Sequence, residues 1–189
     1  MPRPPDMNAM NTVTPTATPK AESLCHMLAD QMRAQIDPHR TLLVGIHTGG
    51  AWVAARLHSL LGLKTSLGEI DVSFYRDDYS QRGLHPGGGK SHLPFVTEGA
   101  HLIIVDDVLY TGRTIRAAMN EIFDYGRPEK IELAVLVDRG GRELPIAATY
   151  CAHTVQLPAE QMLALERRDD GTLNFQLTAR STAVQEASD

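Results

Sequence analysis

The sequence predicts an α/β fold with a mostly parallel sheet flanked by helices. Three observations carry that expectation. Apolar runs of strand length recur along the chain, at Leu42 to Ile46, Leu102 to Val105 and Leu133 to Val137. Segments with apolar residues at helical spacing lie between them. The connections are short, and continuous apolar runs are the mark of strands covered on both faces, as parallel strands are.

The chain has 189 residues, which is the length of one domain. Residues 1–19 hold five prolines and few large apolar side chains, so a disordered arm is expected there. Residues 180–189 are similarly polar and read as a tail, leaving one folded domain over 20–179. Within it, Ala21 to Gln35 places Leu24, Met27, Leu28 and Met32 at helical spacing. The strand Leu42 to Ile46 is followed by Gly49-Gly50 and a helix from about Ala51 to Leu61. Leu67 to Tyr75 alternates like a strand, with Ile70, Val72 and Phe74 on one face. Residues 76–94 form a polar, Gly-rich stretch too long for a passive connection, and such stretches are often lids. After the strand at Leu102, Thr114 to Tyr125 sets Ile115, Ala118, Met119 and Ile122 on one helical face, and Gly126-Arg127-Pro128 stops it. Lys130 to Val137, Thr149 to Ala152 and Leu173 to Leu177 complete the strands.

Composition narrows the function classes. Hydrophobic residues make up 42% and charged residues 22%, which suits a packed core and excludes collagen-like and disulfide-rich chains. Eighteen basic and twenty-three acidic residues give a net charge of −5, so the chain is not a general polyanion binder. Fourteen of the basic residues are Arg, which suits bidentate phosphate contacts. Cys25 and Cys151 have neither zinc nor redox spacing and read as small core residues. No charged and apolar leader pattern begins the chain, and no apolar run approaches a membrane span. A cytoplasmic location without a membrane partner is the expectation.

The chemistry concentrates in Leu102-Ile103-Ile104-Val105-Asp106-Asp107-Val108-Leu109-Tyr110-Thr111-Gly112-Arg113-Thr114. An apolar strand ends in two acids, and a loop of Thr, Gly, Arg and Thr enters a helix. Ligands of open α/β sheets sit at the carboxyl ends of strands, where this loop falls. Amides at a helix start and the helix dipole favour an anion, and the two hydroxyls add donors. Two carboxylates would repel a phosphate but accept strongly from a diol. A sugar with a phosphate at one end and neighbouring hydroxyls satisfies both halves. The bland alternative is an acidic turn with an N-cap followed by an ordinary Thr-Gly loop.

That string is similar to the phosphoribosyl pyrophosphate (PRPP) signature of type I phosphoribosyltransferases. With Phe74-Tyr75-Arg76-Asp77-Asp78, Gly126-Arg127-Pro128 and Val135 through Ile146 (Val-Leu-Val-Asp-Arg-Gly-Gly-Arg-Glu-Leu-Pro-Ile), the chain resembles the PyrR family over roughly Leu42 to Ala152. Members of that family are pyrimidine operon regulators that are also uracil phosphoribosyltransferases. The resemblance implies the type I phosphoribosyltransferase fold with a flexible flap and a small hood. It implies that Asp106 and Asp107 hold the ribose hydroxyls near the reacting carbon. Thr111, Gly112, Arg113 and Thr114 become the 5′-phosphate loop, and Thr48, Gly49 and Gly50, after Ile46-His47, the pyrophosphate loop. His47 reads either as a ligand or as an ordinary satisfied histidine. Arg76 opens the flap and assists catalysis as it closes. Val137, Asp138 and Arg139 read uracil through backbone groups.

Mg²⁺ is implied as cofactor, held mainly through PRPP and pyrophosphate, with no direct protein ligand. The implied partners are PRPP, uracil, UMP or UTP, further copies of the chain in a homo-oligomer (dimer or higher) and pyrimidine operon leader mRNA. Arg116, Arg139 and Arg142 are the candidate RNA contacts. Two departures from the family pattern stand out: Gly49 where an Arg is frequent, and Gly141 where a His is frequent. The alternative function is a weakly catalytic RNA-binding attenuator that takes UMP or PRPP as effectors. A purine or orotate phosphoribosyltransferase shares the acidic pair, but the Val137 to Pro145 stretch points away from it.

Overall fold

The structure is a computed structural model and describes residues 20–72 and 91–179. The arm at 1–19, the tail at 180–189 and Arg76, with most of the expected flap, lie outside these residues. Ten elements follow in chain order: α1 (Ala21–Arg33), β1 (Leu42–Ile46), α2 (Gly49–Leu61), β2 (Gly68–Ile70), β3 (His101–Leu109), α3 (Arg113–Asp124), β4 (Lys130–Asp138), β5 (Tyr150–Thr154), β6 (Gln161–Arg167) and β7 (Leu173–Ala179). No helix among the described residues is long and apolar enough to cross a membrane.

Five strands form one parallel sheet in the order β2-β1-β3-β4-β5. Alternation along each strand divides the core between its two faces. Leu43, Ile103, Val105 and Leu136 pack with α1, α2 and the β6–β7 hairpin. Val44, Ile46, Leu102, Ile104 and Val135 pack with Ile115, Ala118 and Ile122 of α3. In α1, Leu24, Leu28 and Met32 recur every fourth residue, so one stripe faces the sheet. Leu28 and Met32 are fully buried, and truncating either to Ala costs about 2–5 kcal/mol.

This order decides where a ligand can sit. The chain leaves β1 through α2 toward β2, and leaves β3 through α3 toward β4 on the other side. The two connections diverge, on opposite faces, so a crevice opens beyond the carboxyl ends of β1 and β3. The antiparallel hairpin β6–β7 forms the second sheet and is the hood over that crevice.

Several boundaries differ from the sequence reading. Helix α2 begins at Gly49 rather than near Ala51, so both glycines sit in its first turn. Of the strand expected over Leu67 to Tyr75, the described residues form strand at Gly68–Ile70, and residues 73–75 lie outside them. Of the expected flap, residues 91–94 are described. His92 pairs with Glu69, its N–H and carbonyl both bonded at 2.8 and 2.9 Å, and Leu93 and Phe95 join the core on the α3 face. Strand β6 was not marked by the sequence pattern. Its Gln-Met-Leu-Ala-Leu-Glu-Arg run is made of good helix formers, and pairing with β7 overrides that propensity.

Candidate active site

The apolar run of β3 carries its two acids into the carboxyl-terminal half of the central strand, which continues past them to Leu109. Asp106 is 2% exposed, and its Oδ1 accepts the Asp107 N–H at 3.0 Å. Asp107 is half-buried and faces the start of α2. A Cβ at Gly49 would lie 2.5 Å from Asp107 Oδ2, and one at Gly50 would lie 2.4 Å from the Val105 carbonyl oxygen. The absence of side chains in this turn lets α2 start directly against the acid-bearing strand. The peptide between His47 and Thr48 is cis.

The loop after β3 is built to hold its own shape. Gly112 has φ 91°, a left-handed conformation that glycine adopts at little cost, and it precedes the first turn of α3. Gly112 itself, at the N-cap, has no side chain to cap that turn. The Arg113 N–H donates to Thr111 Oγ1 at 3.3 Å, and the Thr111 carbonyl accepts from Glu143 and Leu144 N–H at 3.0 and 3.1 Å. First-turn amides have no intrahelical acceptor, so the loop presents donors to its concave side.

A cavity of about 360 Å³ joins these parts. One wall is Thr48, Gly49 and Trp52. The floor runs from Asp106 through Ile115, with Thr111, Gly112 and Thr114 at its far end. Arg139 and residues 162–165 of β6 close it. Arg139 is 6% exposed, with its guanidinium carbon 4.1 Å from the centroid of the Tyr110 ring. Carboxylates therefore stand near the middle of the cavity and helix-start donors at one end, the charge pattern of a phosphorylated polyol.

Eight expected ligand residues meet here: Thr48, Gly49, Asp106, Asp107, Thr111, Gly112, Thr114 and Arg139. Gly50 packs beneath the cavity rather than lining it. Arg113 does not line the cavity, and its guanidinium pairs with Glu143 at 2.6–2.7 Å. His47 turns to Glu69, with Nε2 2.9 Å from the carboxylate.

The expected base-reading strip lies only partly at the cavity. Val137 is fully buried in the core, and neither it nor Asp138 lines the cavity. The Asp138 carbonyl accepts from Val155 N–H at 2.9 Å, and the Arg139 N–H donates to the Leu109 carbonyl at 3.1 Å. Those backbone groups serve the sheet edge. Only the Arg139 side chain reaches the cavity.

The three candidate RNA contacts stand in different settings. Arg116 is exposed on α3, whereas Arg139 is buried in the cavity. Arg142 folds back, donating to Asp138 Oδ2 at 2.5 Å, to the Ile146 carbonyl at 3.1 Å and to the Tyr110 carbonyl. It braces the loop after β3 against the end of β4. Gly141 belongs to the same packing, since a Cβ there would strike the Tyr110 ring at 2.4 Å.

Sequence reasoning did not name Trp52, Tyr110 or the β6 residues as cavity walls. Tyr110 lay inside the signature string and so was within reach. For β6 the available signal was the Asp-Asp-Gly turn at Asp169-Asp170-Gly171 between two apolar segments.

Residues 16–156 match the phosphoribosyl transferase domain family. A "Bifunctional protein PyrR" of Pseudomonas entomophila is 48% identical over 162 residues, covering 80% of this chain and 94% of the relative. Another protein of that name, from Nitrosococcus oceani, is 48% identical over 142 residues, covering 74% and 80%. Among solved structures, a hypoxanthine phosphoribosyltransferase of Staphylococcus aureus superposes with TM-score 0.56 at 22% identity, covering 74% of each chain. A hypoxanthine-guanine phosphoribosyltransferase of Bacillus anthracis gives TM-score 0.59 at 18% identity, over 74% of this chain and 83% of that one. These two show the shared fold, and the closer sequence relatives narrow it further. The chain belongs to the phosphoribosyl transferase domain family and, within it, to the PyrR family.

Proposed function

We propose that this protein transfers the phosphoribosyl group of PRPP to N1 of uracil, forming UMP and pyrophosphate, and that it couples this site to regulation of pyrimidine genes. The observation that carries the reading is the acid pair and the donor-lined loop meeting in one cavity at the divergence of β1 and β3.

The bond from C1′ to the pyrophosphate oxygen breaks, and a bond from C1′ to uracil N1 forms as the N1 proton is released. Positive charge develops on the ribose ring as the leaving group departs. The protein needs no covalent nucleophile; it aligns two ligands and stabilises charge. Asp106 and Asp107 accept from the ribose hydroxyls and lie near the developing cation. Thr111, Gly112 and Thr114 hold the 5′-phosphate. The uracil ring lies between the Tyr110–Arg139 pair and the β6 segment, replacing Val137 and Asp138 as its readers. Two carboxylates beside a polyol fit a hard cation that takes oxygen donors, so Asp106 and Asp107 would help hold Mg²⁺ with the ligand's own oxygens. When bound, that ion neutralises charge on the leaving pyrophosphate.

The regulatory half of the proposal takes nucleotide occupancy of this cavity as the signal to leader RNA. It does not use Arg139 and Arg142 as RNA contacts. A cytoplasmic setting, a homo-oligomer and a folded unit over residues 20–179 belong to the same proposal. Light scattering for mass and limited proteolysis for the bounds test the last two.

The main experiment is UMP formation from PRPP and Mg²⁺ with uracil, set against orotate, hypoxanthine and guanine. Turnover is expected with uracil, and Asp107→Asn is expected to lose about 100-fold or more. Inactivity with uracil at saturation would end the enzymatic reading. UMP-dependent, salt-sensitive binding of leader RNA would then stand as the regulator's own result.

A further inference from the structure

On the proposed reading, pyrophosphate is the most highly charged part of the substrate, yet the β1–α2 turn beside it offers no side-chain cation. His47 is engaged by Glu69, and Gly49 and Gly50 are packed too closely for any side chain. Among the described residues lining the cavity, the single cationic side chain is Arg139, held over Tyr110 on the β3–α3 side.

A second cation, outside the cavity lining itself, stands over Trp52 and is brought by the hood. Trp52 lines the cavity one helical turn after Thr48, with its N–H 3.4 Å from the Thr48 carbonyl oxygen. Arg167 ends β6, and its guanidinium carbon lies 5.2 Å from the centroid of the Trp52 ring. Arg167 is exposed, and no described carboxylate lies within 4.0 Å of its nitrogens. Strand alternation puts residues 163, 165 and 167 on one face, the face whose Leu163 and Leu165 also border the cavity.

The hairpin that carries Arg167 is tied down. Arg56 of α2 donates to Glu22 of α1 at 2.8 Å and to the Gly171 carbonyl at 3.2 Å. The same Glu22 oxygen accepts the Leu173 N–H at 2.9 Å. The arginine is thus held at a set distance from α2 by both helices.

We propose that Arg167 is the pyrophosphate-binding cation of this protein, supplied across the cavity by the hood, with the Trp52 ring as the platform that orients its guanidinium. The inference rests on the phosphoribosyl reading of the cavity. A guanidinium has a planar fork of donors that matches phosphate oxygens in pairs, and stacking on an aromatic face leaves the fork's edge free to bind.

The test is titration of the full-length protein with Mg²⁺-pyrophosphate and, separately, with UMP. Trp52 is the chain's single tryptophan, so its fluorescence reports on the arginine's neighbourhood. Calorimetry gives the same constants independently of that signal. Arg167→Ala is expected to weaken pyrophosphate binding and raise the PRPP KM by about 10–100-fold, the worth of a charge-assisted contact, while UMP affinity stays within about twofold. Arg167→Lys is expected to recover part of the loss. Unchanged pyrophosphate affinity in Arg167→Ala, or an equal loss for pyrophosphate and UMP, would overturn the proposal. A parent that binds both ligands but makes no UMP from uracil would sink the reaction reading, while the pyrophosphate titration would still decide Arg167.

Discussion

Nε2 of His101 lies 2.5 Å from Oε2 of Glu132, at the amino ends of β3 and β4 and so at the opposite edge of the sheet from the cavity. Lys130 Nζ reaches the other carboxylate oxygen at 2.9 Å. Glu132 is buried, and a buried carboxylate survives there because both its oxygens are matched by donors.

This arrangement predicts an acid limb in the stability profile. Burial by itself pushes the Glu132 carboxyl up, but the bonds from Lys130 and His101 outweigh it and hold the group below its ordinary value. A carboxyl lowered in the folded state contributes stability that is present above its unfolded pKa, near 4.3, and is lost as pH falls through the folded value. Thermal melts of the parent should weaken progressively below about pH 4.5, and Glu132→Gln should flatten that decline. At pH 7 the variant should be less stable by about 1–3 kcal/mol. Identical acid limbs in the two proteins would remove Glu132 as their cause.

A second prediction concerns the turn that starts α2. Any side chain at position 49 must displace the Asp107 carboxylate, since the nearest atom a Cβ would meet is Oδ2. Gly49→Arg, which adds a cation beside the proposed pyrophosphate site, should therefore lower kcat/KM by about 10-fold or more rather than raise it. The protein should still fold, because the displaced group is the end of a side chain and not backbone. Initial-rate kinetics in PRPP decides this, and faster turnover in the variant would refute the packing argument.

The cysteines should separate by reactivity. Cys25 is fully buried in α1, and burial, then the charge of Glu22, pushes its thiol up to about 12. Cys151 is half-buried in β5, with Sγ donating to the His153 carbonyl at 3.2 Å. Thiolate is the reactive form, so a disulfide reagent at pH 8 should label Cys151 in the native protein and Cys25 only on unfolding. Labelling of Cys25 at the rate of an exposed thiol would contradict the core that α1 and the sheet form around it.

Much of the site was legible because its residues are contiguous in sequence. A strand that ends in acids and turns through Thr-Gly into a helix must place both groups at one edge of the sheet, whatever surrounds it. Asp106, Asp107, Thr111, Gly112 and Thr114 reached the cavity for that reason. Val137 and Asp138 did not. Strand periodicity says which side a residue faces only once the neighbours on that side are known, and here the neighbours are core and Arg142. The resemblance put Arg113 in a phosphate loop and Arg139 and Arg142 among the base and RNA contacts, yet burial and pairing sent each in a different direction: to Glu143, into the cavity, and back onto Asp138.

Local order alone thus determined the alternation of strands and helices, the acid pair and the donor loop, since these depend on near neighbours along the chain. Tertiary structure decided the rest. The strand order placed the crevice between β1 and β3, and long-range pairing turned a helix-prone segment into the β6 wall. Close packing at Gly49 and Asp107 joined segments more than fifty residues apart. Contacts of that range take their energy from surfaces that meet only after folding, and no window along the sequence contains both.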